Sequence, residues 1–188
     1  MHDQPINQKS EYVINKNTLF LEPVRYGEYT KVYEKNTKPA IVRKTPMKII
    51  RQSCIRYLST YDGRRDASAR ILGINRKVPI NVDHLKGTYL FPTISHLKPD
   101  CSWITLSHLK CLEKIDKKQT KISFTDGQSI IVPVSPLAVY NQIMMTKVLY
   151  ERSSATTSSI RTERVVRAQY VTGVRENMIS FFHSRNRE

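Results

Sequence analysis

Thr120–Phe124 and Ser129–Val134 alternate apolar and polar residues on either side of Thr125-Asp126-Gly127-Gln128. Asp-Gly between two β-branched runs supplies the positive backbone angles of a tight hairpin turn. This stretch therefore commits the chain to antiparallel sheet. Other short β runs agree with it. They lie at Val13–Asn15, Thr18–Val24, Lys31–Lys35, Ala40–Val42, Pro79–Val82 and Tyr89–Phe91, with Asn15-Lys16-Asn17 as a turn and Pro23 marking a strand end or edge. Ser102–Ile115 reads as one further strand carrying Trp103, Ile104, Leu106, Leu109 and Leu112.

Two helices open on a hydroxyl residue followed by proline: Thr45-Pro46 and Ser135-Pro136. The hydroxyl caps free amides, and proline tolerates the first helical position. After the first, Met47, Ile50, Cys54 and Leu58 recur at helical spacing, which leaves Lys48, Arg51 and Arg56 off the apolar face. Asp62-Gly63 is expected to break this helix, and Arg64–Leu72 to form a second one closed by Gly73. After Ser135-Pro136, Leu137, Tyr140, Met144 and Val148 mark the expected buried face. The predicted class is α+β: a largely antiparallel β-sheet with two or three packed helices, forming a single domain plus a C-terminal helical appendage. Residues 1–11 read as a flexible N-terminus, 12–150 as the domain, 151–160 as a Ser/Thr-rich linker and 161–188 as a helical tail.

Charge narrows the function. Thirty-one Lys and Arg face sixteen Asp and Glu, a formal net charge of +15, which draws a protein to nucleic acid or an anionic surface. No apolar run approaches the roughly 18–20 residues of a spanning helix. Met1–Tyr12 has no apolar signal core, so an intracellular location is expected. The excess charge is concentrated. Between Arg43 and Lys77, seven arginines and three lysines stand against Asp62 and Asp66 alone. Guanidinium groups bind phosphate in a bidentate fork and suit narrow minor grooves. Arg56, Arg64, Arg65, Arg70, Arg76 and Lys77 are the candidate DNA contacts, with Tyr57 and Tyr61 beside them.

Nothing points to catalysis. The acidic residues are scattered, and phosphate-loop, dinucleotide, nucleophile-elbow and metalloprotease motifs are missing. Cys54, Cys101 and Cys111 are widely spaced and read as reduced thiols. His108 and Cys111 with Cys101 lack a fourth ligand, so neither metal nor cofactor is expected. Zinc-finger, zipper and helix-turn-helix patterns are also missing, whereas a sheet with arginine-bearing helices is compatible with backbone-led or minor-groove recognition.

The residues resemble the ComK family of competence transcription factors. The resemblance runs in order through S-C-I-R-Y (53–57), S-T-Y-D-G-R-R (59–65), I-N-R-K-V-P-I-N-V (74–82), L-F-P-T-I-S (90–95), C-S-W-I (101–104), H-L-K (108–110) and F-T-D-G-Q-S-I-I-V-P-V-S (124–135), then Asn141-Gln142. It implies a cytoplasmic, nucleoid-associated activator of DNA-uptake genes that binds A/T-rich boxes of double-stranded promoter DNA from the minor groove. It also implies a homo-oligomer on DNA, contact with RNA polymerase, and control by an adaptor with a Clp-type protease. Two departures stand out. The family's S-H-K-P-P-I segment is Asn75-Arg76-Lys77-Val78-Pro79-Ile80 here, and the C-terminal aromatic-aliphatic-proline motif is not recognisable, its nearest counterpart being Ala168-Gln169-Tyr170-Val171. Two alternatives stay open: a non-specific nucleic-acid-binding protein, and a protein-interaction module whose charge is incidental.

Overall fold

The computed structural model describes residues 7–154. Residues 1–6, most of the expected linker and the whole expected tail lie outside the described residues. Ten strands and three helices follow in the order β1 (Asn7–Lys9), β2 (Thr18–Val24), β3 (Tyr29–Glu34), β4 (Ala40–Val42), α1 (Pro46–Arg56), α2 (Tyr61–Leu72), β5 (Ile80–Asp83), β6 (Thr88–Pro92), β7 (Trp103–Thr105), β8 (Leu109–Lys114), β9 (Thr120–Phe124), β10 (Ser129–Val132) and α3 (Pro136–Ser154). Seven strands form one sheet in the order β1-β4-β3-β2-β7-β6-β5, and three form another in the order β10-β9-β8. Every pairing is antiparallel except β1 with β4. The expected α+β class is the one observed.

The large sheet is the middle of three layers, because its central strands alternate apolar residues to both faces. Leu21, Val32, Ile80, Val82, Leu90 and Trp103 pack with Ile49, Ile50 and Cys54 of α1 and Tyr61 of α2. Phe20, Phe91 and Ile104, their immediate neighbours in sequence, pack on the opposite side with Leu112, Ile122, Phe124, Ile130 and Val132 of the small sheet and Val139 and Ile143 of α3. A bulge between Thr18 and Phe20 lets Leu19 join Phe20 in that second cluster.

Several expectations need correction. Ser102–Ile115 is two strands: β7 lies in the large sheet, a 3-10 turn at Leu106–His108 follows, and β8 lies in the small one. Val13–Asn15 is not a strand; Tyr57 Oη donates to the Ile14 carbonyl (2.8 Å) and the Ile14 amide donates to Ser53 Oγ (3.0 Å), which ties the segment to α1 instead. Residues 7–9, assigned to a flexible terminus, form β1. Pro23 fits the expected strand end or edge: it sits one residue before the end of β2 and pairs with Thr30 beyond the part of β2 that β7 covers. The most buried face of α3 differs from expectation, and Tyr140, Met144 and Val148 are only half-buried. Val139, Gln142, Ile143, Thr146 and Leu149 are buried, whereas Leu137 is exposed. The helix also continues through Ser154, into the expected linker.

The cysteines divide by burial. Cys54 and Cys101 are buried, and burial pushes each thiol up to about 11, while Cys111 is exposed. A thiol reagent added to the native protein is expected to modify Cys111 within minutes and the other two only after unfolding. Counting labelled sites by mass spectrometry with and without urea checks this. Fast native labelling of Cys54 would contradict the packing of α1.

Candidate nucleic-acid interface

The basic segment folds into α1, an elbow, α2 and the loop that leads to β5. Thr45 caps α1 by accepting the Lys48 amide (3.1 Å), and Thr60 caps α2 by accepting the Gly63 amide (3.1 Å). Asp62 and Gly63 therefore sit inside the first turn of α2 and do not break α1. The break falls at Tyr57–Thr60. The Leu58 amide donates to the Ile55 carbonyl (3.0 Å) and the Ser59 amide to the Cys54 carbonyl (3.0 Å). This pair of bonds is a Schellman ending, with Leu58 in the left-handed position at φ 55°. Helical spacing puts Leu58 on the buried stripe; placed past the helix end, it is instead 97 % exposed. Gly73 closes α2 in the same left-handed conformation, at φ 67°.

Arg51 links the two helices. Its Nη1 lies 2.9 Å from Asp62 Oδ2, and its guanidinium lies 5.1 Å from the Tyr61 ring centre. Burial pushes the Tyr61 hydroxyl up to about 12, against the lowering influence of Arg65 and Arg51.

The six candidate residues have different surroundings. Arg56 is exposed at the end of α1. Arg64 and Arg65 leave α2 on the two flanks of its buried stripe, Tyr61 and Ser68, and both are half-buried. Arg64 Nη2 donates to the Tyr57 carbonyl (3.4 Å), while its buried Nε has no hydrogen-bond partner. Arg65 Nη2 donates to the Asn75 carbonyl (2.9 Å) and its Nη1 lies 3.3 Å from Asp66. Arg70 and Arg76 line an open groove of about 620 Å³ with Ala69, Gly73, Ile74 and Asn75, and both arginines are exposed. Lys77 follows, half-buried, at φ 48°.

Arg70, Arg76 and, through Asn75, Arg65 thus gather at the C-terminal end of α2, where the helix dipole favours cations. Arg56 closes α1 before the other end of α2, a helix about 18 Å long for its twelve residues. Sequence reasoning missed Arg152 on α3. Its Nη1 donates to the Ile71 carbonyl (2.5 Å), bringing one more cation to the same helix end. The two residues are 81 positions apart, and no local pattern links them.

Among the described residues, no group of three or more His, Cys, Asp or Glu side chains is placed to hold a metal ion. His108 Nε2 hydrogen-bonds the Lys16 carbonyl (2.6 Å), and Cys101 lies in the helix-side core while Cys111 is exposed. No described helix is long and apolar enough to cross a membrane.

A sheet layered between helices, with arginines along one helix pair, defines a basic α+β protein with a surface suited to a polyanion. The family comparison makes the assignment specific: residues 9–158 match the family described as "ComK protein", and the chain belongs to that family. It is also 32% identical over 105 residues to the competence transcription factor of Bacillus subtilis (strain 168). That match covers 56% of this chain and 55% of the relative, so the chain spans about half the length of the curated relative it matches. No solved structure matches the chain.

Proposed function

We propose that this ComK family member is a DNA-binding transcriptional activator of competence genes. It recognises A/T-rich promoter boxes through minor-groove and phosphate contacts. The observation that carries the reading is the set Arg56, Arg70 and Arg76, with Lys77, spread over both ends of α2. A span of about 18 Å corresponds to roughly five base pairs of duplex. Cations so spaced reach successive phosphates of one groove, and arginine is favoured where A/T-rich DNA narrows the minor groove. Arg65 supports the cluster from beneath through Asn75, and Arg64 supports the elbow through Tyr57. Assembly as an oligomer on paired boxes, a cytoplasmic nucleoid location and contact with RNA polymerase belong to the same reading and rest on family membership.

The test is a competition titration of the full chain with an A/T-box duplex and a scrambled duplex at two salt concentrations. With about four cations engaged, affinity should fall roughly a hundredfold between about 50 and 200 mM salt, and the A/T box should win at both. Equal affinity for the two duplexes would indicate a non-specific binder. Salt-independent or undetectable binding would indicate a protein-interaction module.

A further inference from the structure

The elbow between α1 and α2 presents a large apolar side chain where stability alone favours glycine. The left-handed position of a Schellman ending is occupied most often by glycine, because a Cβ there crowds the following carbonyl. Here it is Leu58, and folding leaves its side chain in solvent. Ile55, one turn earlier, is itself 65 % exposed, and Arg56 stands between them, exposed.

The base of this projection is braced. Besides the two Schellman bonds, Tyr57 donates its hydroxyl to Ile14, and Arg64 donates to the Tyr57 carbonyl. Leu58 is therefore an exposed apolar tip on a backbone fixed from both sides, inside the most basic segment of the chain.

We propose that Leu58 is a wedge that enters the minor groove and parts a base step, with Arg56 holding an adjacent phosphate. Proteins that deform DNA from the minor groove insert apolar side chains between bases, and the unstacking cost is offset by the added protein–DNA contact. Pyrimidine–purine steps such as TA unstack most readily, which gives A/T-rich sites an advantage at a position that no hydrogen bond reads. The charge around Leu58 selects the occupant: a protein partner would have to be acidic, whereas a duplex supplies phosphates on both sides of an apolar stack. The proposal rests on the minor-groove reading above and adds to it the residue that distorts the DNA.

The test uses the full chain and an A/T-rich duplex with 2-aminopurine replacing the adenine of a central TA step. The fluorescence of this base rises when it unstacks. Saturating wild-type protein should raise it several-fold. Leu58→Gly should bind several-fold more weakly and, at saturation, give no rise, while its melting temperature is equal to or above wild type. Leu58→Phe should restore the rise. No rise with saturating wild-type protein, or an undiminished rise with Leu58→Gly, overturns the wedge. Anisotropy on the same samples, compared with a scrambled duplex, reports A/T preference separately. Loss of that preference with a Leu58-dependent rise would overturn only the sequence-specific reading and leave the wedge in place.

Discussion

Replacing Arg70 and Arg76 together by glutamate is expected to lower affinity for an A/T-box duplex at least about a hundredfold at moderate salt, with the fold unchanged. A charge-assisted hydrogen bond contributes about 1.5–3 kcal/mol, so removing two such bonds to phosphate amounts to roughly 3–6 kcal/mol before repulsion is added. Both side chains border an open groove, so reversing their charge leaves the new carboxylates in reach of water. The salt dependence should also flatten, by about one unit of slope for each phosphate that is no longer neutralised. Gel-shift titration at two salt concentrations with a circular dichroism spectrum checks this. Unchanged affinity and slope would remove α2 from the interface. The adjacent pair, Arg64 and Arg65, is a poorer choice although the sequence makes it conspicuous. A glutamate at 64 would set a half-buried carboxylate against the Tyr57 carbonyl, and one at 65 would forgo the bond to Asn75. Weak binding by either variant would then report a loosened elbow or loop as much as a missing phosphate bond.

What could be read without the structure follows from where the determining interactions lie. The β9–β10 hairpin, the caps at Thr45 and Thr60 and the ending at Gly73 depend on residues close together in sequence, and three of these four were legible. Thr60 was missed because Asp62-Gly63 resembles a turn, and what makes it helical is the Thr60 hydroxyl two residues earlier. The division of Ser102–Ile115 was invisible for another reason. Trp103–Thr105 and Leu109–Lys114 are both good strand sequences, and only their partners, β2 and β6 for one and β9 for the other, separate them. In α3 the apolar residues lie on both sides of the helix, so periodicity could not choose a face. The buried side includes Gln142 and Thr146, and the Thr146 hydroxyl is satisfied by the Gln142 carbonyl (2.6 Å). The proposed interface can be read from the sequence as a basic segment and not as a surface. Counting arginines locates the segment, but adjacent helical residues diverge by about 100°. Only the bonds that Arg64 and Arg65 make to Tyr57 and Asn75 show that these two brace the backbone, while Arg70 and Arg76 border the open groove.

Phe20→Ala is expected to cost about 3–5 kcal/mol of stability, a large share of the roughly 5–15 kcal/mol of a typical domain. Phe20 is fully buried and its ring lies between Tyr33, at 3.9 Å between ring centres, and Phe124 of the small sheet, at 4.9 Å. Its removal leaves a cavity between two β-layers whose backbones are held by their own ladders and cannot collapse into it. The loss should also be felt on the far side of the large sheet. Phe20 and Leu21 are consecutive on β2, and they pair with Ile104 and Trp103 of β7, so each strand sends one residue to each face. Trp103 is the chain's single tryptophan and lies on the helix side, which makes it a reporter remote from the lesion. In urea, tryptophan fluorescence and far-ultraviolet circular dichroism should move together to a lower midpoint in Phe20→Ala. If fluorescence kept its wild-type midpoint while the dichroism shifted, the helix layer that carries the basic surface would be stable without the small sheet. If the two move together, the stability of the basic helices depends on packing behind the sheet, and substitutions there would weaken the proposed DNA binding without touching the surface.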